Sequence, residues 1–171
     1  MKIRIYLFLF LIILISCSLS KEPSINIKKY EDLVVYNNSF NDRSSISIEY
    51  SILLIDTISS SSDIIVTSFA SNSIVFLSPS KDTILSKGNS RVTGFYRTGE
   101  EKYNEPPFEG YFDMEYPIKN NWYFVKTFDE RYLRIYVKEV FQDSLILDIE
   151  LLNDTTLIFP WDIYNFFSLP F

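Results

Sequence analysis

Apolar and polar residues alternate along the second half of the chain, and this period of two constrains the fold more than any other feature. In the run SLILDIELL (144–152), every second residue is Leu or Ile, and Asp148 and Glu150 stand between them. Side chains of a strand point alternately to its two faces, so the pattern predicts a strand with one buried and one wet face. Three further strand-like runs flank it: NWYFVKTF (121–128), RYLRIYVKEV (131–140) and TTLIF (155–159).

These runs, with turn residues at 141–143 and 153–154, predict an antiparallel meander. An earlier stretch, SISIEYSILLID (45–56), also alternates and predicts one half-buried strand. Aromatic residues make up 17% of the chain, which favours strands, and no stretch holds a capped helical period. We therefore expect one all-β domain, residues 25–171, built as an antiparallel sandwich or small barrel of about seven to nine strands.

The N-terminus has the organisation of an export signal. Lys2 and Arg4 precede an uninterrupted apolar and aromatic run, Ile5 to Ile15. As a helix this run would rise about 16 Å, about half the hydrocarbon thickness of a bilayer, so it is too short to span one. A positive start, a short apolar centre and small residues after it are typical of a signal peptide.

The signal ends at the single cysteine of the chain. The tetrapeptide Leu14-Ile15-Ser16-Cys17 resembles the lipobox of bacterial lipoproteins, with an aliphatic residue at −3, a small residue at −1 and the obligatory cysteine. The resemblance implies that cleavage removes residues 1–16 and that the Cys17 sulfur carries a diacylglycerol group. Residues 17–24 would then form a short tether to the membrane. The resemblance thus implies a lipid-anchored protein of the cell envelope, and Ser18 in place of aspartate favours the outer membrane.

Composition excludes several kinds of chemistry. The chain has no histidine, which excludes Ser-His-Asp catalysis and histidine-ligated zinc, copper or haem. A single cysteine leaves no disulfide and no CxxC pair. A formal net charge of −6 argues against nucleic acid as a partner and against wide contact with anionic lipid headgroups. We expect no cofactor and no metal site.

Two aromatic clusters are candidates for binding. Residues 103–124 carry eight aromatic side chains and residues 159–171 carry six. A β core could absorb many of these rings; the functional interpretation is a sticky face for sugar, lipid or a partner protein. The charged loop 98–110, TGEEKYNEPPFEG, is predicted to be mobile or used for binding. The candidate partner-binding residues are Trp122, Trp161, Tyr164 and Phe166.

We therefore expect a non-enzymatic protein that binds or scaffolds in the envelope, with an envelope protein, a glycan or an apolar ligand as partner. Two alternatives stay open. The hairpins of residues 132–159 resemble the later strands of lipocalin-type barrels, which implies a carrier of a small apolar ligand, although the early Gly-x-Trp of that family is missing. A small glycan hydrolase could use two carboxylates, as in Glu100-Glu101 or Asp129-Glu130, but neighbours on a strand face opposite ways.

Overall fold

The computed structural model describes residues 26–69 and 73–153, which form an all-β sandwich of two antiparallel five-stranded sheets. Ten strands are present among these residues, against the seven to nine expected, together with one short 3-10 turn, Pro79–Lys81. The strands are β1 (Asn26–Tyr36), β2 (Ser45–Glu49), β3 (Ile52–Asp56), β4 (Ile64–Ser68), β5 (Ile74–Leu77), β6 (Gly94–Gly99), β7 (Met114–Glu115), β8 (Trp122–Lys126), β9 (Tyr132–Val140) and β10 (Ser144–Asn153).

Sheet I has the strand order β1-β10-β9-β8-β6, and sheet II has the order β3-β2-β4-β5-β7. The predicted meander is confirmed for β8, β9 and β10, which pair with their neighbours in sequence. The predicted run 155–159 lies outside the described residues. Because the strands form two separate sheets, the architecture is a sandwich, and the barrel alternative is wrong.

The core between the sheets is built from the alternating faces. Leu145, Leu147, Ile149 and Leu151 of β10 have no exposed surface. Aromatic rings fill the centre: the Phe76 ring lies 5.9 Å from that of Phe95 and 5.6 Å from that of Tyr123. Each such side chain contributes about 1.5–3 kcal/mol by leaving water, so this layer supplies much of the stability of a domain without disulfides.

The stretch 45–56 is not one strand, as predicted, but the hairpin β2–β3. Tyr50 and Ser51 form its two-residue turn, with φ angles of 48° and 62°. Such turns usually contain Asn or Gly, so the sequence lacked the usual signal. Ile48 pairs with Leu53, which buries Leu53 and leaves Ile52 half exposed. The sequence shows this turn only as a change in the buried apolar positions, which are even-numbered before the turn and odd-numbered after it.

The sequence also predicts a hairpin around Pro79, with strands in 73–77 and 83–85. The first of these strands is present as β5, but residues 83–88 form turns, and the chain next enters a strand at Gly94. The sequence also predicts a first strand of mixed period within residues 25–36, and β1 confirms that strand. Its mixed period reflects a bulge between Tyr30 and Leu33, where Asp32 has a φ of 54°.

We call one end of the sandwich the tether end, because β1, which follows the predicted tether, begins there. Asn26, where β1 begins, pairs with Asn153, where the described chain ends. A row of paired residues, one on each neighbouring strand, runs from Ile27 of β1 across β10, β9 and β8 to Gly94 of β6. The turns 50–51 and 127–131 lie at this end too, because Lys28 Nζ donates to the Ser51 carbonyl and Arg131 Nη1 to the Ile48 carbonyl. Turns 37–44, 116–121 and 141–143 form the distal end.

Candidate functional site

One of the predicted binding residues, Trp122, falls within the described residues. Its ring is half-buried on the outer face of sheet I, with its centroid 4.9 Å from that of Tyr136. Lys102 Nζ lies 4.7 Å from the Trp122 ring centroid. Trp122 is therefore packed beneath the segment that follows β6. Trp161, Tyr164, Phe166 and the predicted lipidation site Cys17 lie outside the described residues.

Loop 98–110 folds over the outer face of sheet I and is held there by ion pairs. Glu150 lies 2.6 Å from Lys102 Nζ, 2.6 Å from Arg134 Nη2 and 3.5 Å from Lys29 Nζ. Arg134 Nη1 also donates to the Tyr103 carbonyl at 3.0 Å. Burial acts to raise the pKa of Glu150, but the Lys102 hydrogen bond and the nearby positive charges outweigh it, so the pKa is lowered. The alternation along β9 predicts that Arg134 lies on a solvent-facing side of the strand, but these contacts bury it.

The returning end of this loop forms one wall of a groove at the tether end. Phe112 and Phe95 exchange two backbone hydrogen bonds, of 2.7 and 2.9 Å. Tyr111 packs over Gly94 so closely that a Cβ at position 94 would lie 2.7 Å from Tyr111 Cβ. Glycine at position 94 is thus required for the loop to reach the sheet. The groove has a volume of about 600 Å³.

The floor and rim of the groove combine apolar and polar groups. Val92, Phe112 and Phe128 line it with largely exposed side chains. Lys126 lies on one wall, Glu130 on the turn beside it, and Asp113 accepts a 2.8 Å hydrogen bond from Lys81. Apolar surface interrupted by a few polar groups is typical of a small-molecule site.

Two hydroxyls of the groove are buried and have no hydrogen-bond partner among residues 26–69 and 73–153: Thr93 Oγ1 and Tyr111 Oη. Thr93 is fully buried, and its backbone N–H is already paired with Ser78 Oγ at 2.8 Å. Burial, with smaller effects from Tyr132 and Tyr96, raises the pKa of Tyr111, so its hydroxyl remains a donor. An unpaired buried hydroxyl costs about 1–3 kcal/mol, which a ligand that pairs it would recover.

An ion-pair network supports the rim from behind. Arg91 Nη2 lies 2.7 Å from Asp63 Oδ1, and the Arg91 guanidinium lies 5.9 Å from the Phe128 ring centroid. Asp63 Oδ2 accepts the Ile48 N–H at 2.8 Å. Burial raises the pKa of Asp63 to about 6, against the opposing effects of the Ile48 N–H and Arg91. Through its contacts with Ile48 and Arg91, Asp63 links β2 of sheet II to the turn that carries Phe128.

One of the carboxylates considered for hydrolysis, Asp129, takes a structural role. Asp129 Oδ1 accepts from Thr127 Oγ1 at 2.6 Å, and Asp129 Oδ2 lies 2.9 Å from Arg131 Nε. The described ranges contain no group of three or more Asp, Glu, Cys or His residues arranged to hold a metal ion. They also contain no helix that is long and apolar enough to cross a bilayer.

Sequence reasoning did not single out the residues of this groove. Tyr111 and Phe112 belong to the aromatic cluster 103–124, which was a signal of the right kind. Thr93 and Phe128 carried no signal, because an isolated threonine and a phenylalanine at a strand end are common in any β protein. Their importance arises from their position beside Tyr111.

Comparison with known proteins informs the fold. No protein-family model matches the chain, and no curated protein matches its sequence. A solved structure of a DUF4466 family protein from Parabacteroides merdae ATCC 43184 is similar, with a TM-score of 0.60 and 12% sequence identity. The match covers 74% of this chain and 54% of that protein, so this chain spans about half of its length. At this identity the likeness shows the fold alone, an antiparallel β-sandwich.

Proposed function

We propose that the protein is a lipid-anchored lipoprotein of the cell envelope, at the outer membrane, and that it is a non-enzymatic binding protein for a glycan. The lipobox resemblance at residues 14–17 supports the anchor. Cys17 lies nine positions before Asn26, so a fully extended tether would span at most about 32 Å. The groove at the tether end is the proposed binding site.

The buried, unpartnered hydroxyl of Tyr111 beside exposed rings is the observation that carries the glycan assignment. A sugar that moves aside the groups covering Tyr111 Oη can pair a hydroxyl with it, and the C–H faces of the sugar can pack against Phe112 and Val92; Thr93 is fully buried and is not a ligand contact. An apolar ligand would leave both hydroxyls as unpaired as they are in the free protein and would gain nothing from them, which favours a polar ligand over the carrier alternative. The core rings that fill the space between the sheets also disfavour an internal lipid cavity.

The engaged carboxylates favour binding over hydrolysis. Both oxygens of Asp129 are already paired, and Asp113 is paired with Lys81, which leaves Glu130 as the one carboxylate of the groove lining without a pair among the described residues. A glycosidase needs two free carboxyl groups about 5–9.5 Å apart across the cleft. Binding without turnover therefore accounts better for this groove.

The anchor is tested by the intact mass of the mature protein purified from membranes. We expect the wild type to have the mass of residues 17–171 plus diacylglycerol. We expect Cys17→Ser to lack this mass. The unmodified polypeptide mass in the wild type would refute the anchor.

The groove is tested by screening the detergent-solubilised mature protein against soluble oligosaccharides and then measuring affinity by calorimetry. Tyr111→Phe keeps the ring and removes the unpaired hydroxyl, and we expect about a tenfold loss, which corresponds to about 1.4 kcal/mol. Tyr136→Phe is the matched control, because that hydroxyl contacts Asn120 at the distal end. Failure to bind any oligosaccharide, or equal affinity in Tyr111→Phe, would contradict the assignment.

A further inference from the structure

We propose that the tether end is a membrane-contacting surface, at which the tips of the 50–51 and 127–131 turns enter the headgroup interface of the bilayer that holds the lipid anchor. The occupant of this surface is a phospholipid bilayer. The inference rests on the proposed function in one respect, because it takes residue 17 as the point held at the membrane.

The two turn tips present the exposed aromatic rings that such contact requires. Tyr50 is 93% exposed at the tip of β2–β3, and Phe128 is 62% exposed in the β8–β9 turn. Ile52, beside Tyr50, is 48% exposed. The two tips belong to different sheets, but both lie at the tether end, so the two rings lie at the same end of the sandwich. Aromatic side chains with an apolar body are enriched at membrane interfaces, where tyrosine keeps its hydroxyl in the wet layer.

The tether geometry selects this end of the sandwich. The row from Ile27 to Gly94 crosses four strand spacings, about 19 Å, so the whole end lies close to the point where the chain leaves for residue 17. Ser144 and Asn153 of β10 are nine steps apart, so the distal end lies about 31 Å from that point. A tether of at most about 32 Å would be almost fully extended along the domain before the distal end met the membrane.

The charges at the tether end permit close approach to a membrane, although the chain as a whole is acidic. Lys28, Arg91, Lys126 and Arg131 stand there against Glu49, Asp63, Asp129 and Glu130. Acidic residues concentrate instead in the loop over sheet I: Glu100, Glu101, Glu105 and Glu109. Repulsion from anionic headgroups falls off within about 8–10 Å at physiological salt, so these acids oppose wide contact but not contact through two tips.

Phe128 also forms the rim of the groove. Contact at this tip would therefore place the mouth of the groove at the level of the lipid headgroups. The bilayer would then hold the groove beside any glycan carried on a lipid of the same membrane.

The experiment uses the mature chain, coupled through its single thiol at position 17 to vesicles of phosphatidylethanolamine and phosphatidylglycerol that contain a maleimide lipid. This coupling fixes residue 17 at the membrane whether or not the cell acylates it. Failure of the natural anchor, read from the mass of the native protein, is therefore a separate result. Tyr50→Trp and Phe128→Trp place a fluorophore at each tip. Phe40→Trp, at a distal phenylalanine that is 57% exposed, is the matched control.

Quenching by lipids brominated on their acyl chains reports contact, measured as the change from the parent that contains the native tryptophans. We expect added quenching in Tyr50→Trp and Phe128→Trp and none in Phe40→Trp. Equal quenching at all three positions, or none at positions 50 and 128, would overturn the proposal.

Discussion

Replacement of Thr93 by valine should stabilise the protein. Thr93 is fully buried, and its Oγ1 has no hydrogen-bond partner within the described part of the chain. Valine has nearly the same shape and replaces the hydroxyl with a methyl group, so it fills the same space without a polar atom. The backbone N–H that Thr93 donates to Ser78 Oγ is unaffected by the substitution.

The magnitude follows from the cost of burying an unpaired hydroxyl, which is about 1–3 kcal/mol. We expect Thr93→Val to raise the free energy of unfolding by about 1–2 kcal/mol within that range. For a domain of this size, that corresponds to a rise of about 2–8 °C in the melting temperature. Most substitutions of buried residues destabilise, so the sign of the effect is itself informative.

The matched control is Thr127→Val in the opposite wall of the groove. Thr127 Oγ1 donates to Asp129 Oδ1 at 2.6 Å and accepts the Arg131 N–H at 3.2 Å. The same chemical change should therefore destabilise the protein by about 1–3 kcal/mol. Urea unfolding at neutral pH measures the free energy of unfolding of both variants, and the comparison requires unchanged m-values. A loss of stability in Thr93→Val comparable with that in Thr127→Val would show that Thr93 Oγ1 is paired, and the reasoning would fail.

Three further predictions follow from the same structure. Because burial raises the pKa of Asp63 to about 6, the folded state retains a proton that the unfolded chain releases. The free energy of unfolding should therefore fall by about 2 kcal/mol between pH 4 and 6, and Asp63→Asn should lack this slope in urea titrations. Gly94→Ala should cost about 1–3 kcal/mol by displacing Tyr111, with a change in near-ultraviolet circular dichroism, whereas an unchanged protein would contradict the close packing. Glu150→Gln leaves the buried Arg134 without its counter-charge and should cost about 3 kcal/mol in the same assay. Asp32→Asn, which removes the exposed Lys138 pair, is its control and should not move the midpoint.

The sequence by itself determined the class of the fold and the strands of its clearest region. The alternation in 144–152 predicted the buried face of β10, and the runs before it predicted β8 and β9. A period of two is a local property, because successive side chains of any strand point to opposite faces. The resemblance to a lipobox is also local and needs no structure to be seen, and the acylation that it implies stays a prediction.

Only the tertiary structure decided where the β2–β3 hairpin turns and which distant residues meet. The Tyr50-Ser51 turn has no local signal, and the pairing of Ile48 with Leu53 is favoured because it buries both side chains against sheet I. Lys102 and Glu150 are separated by 48 positions, yet their contact holds a loop on the sheet. The groove likewise exists because Tyr111 packs on Gly94, a contact that depends on how the loop returns and that no local pattern of residues specifies.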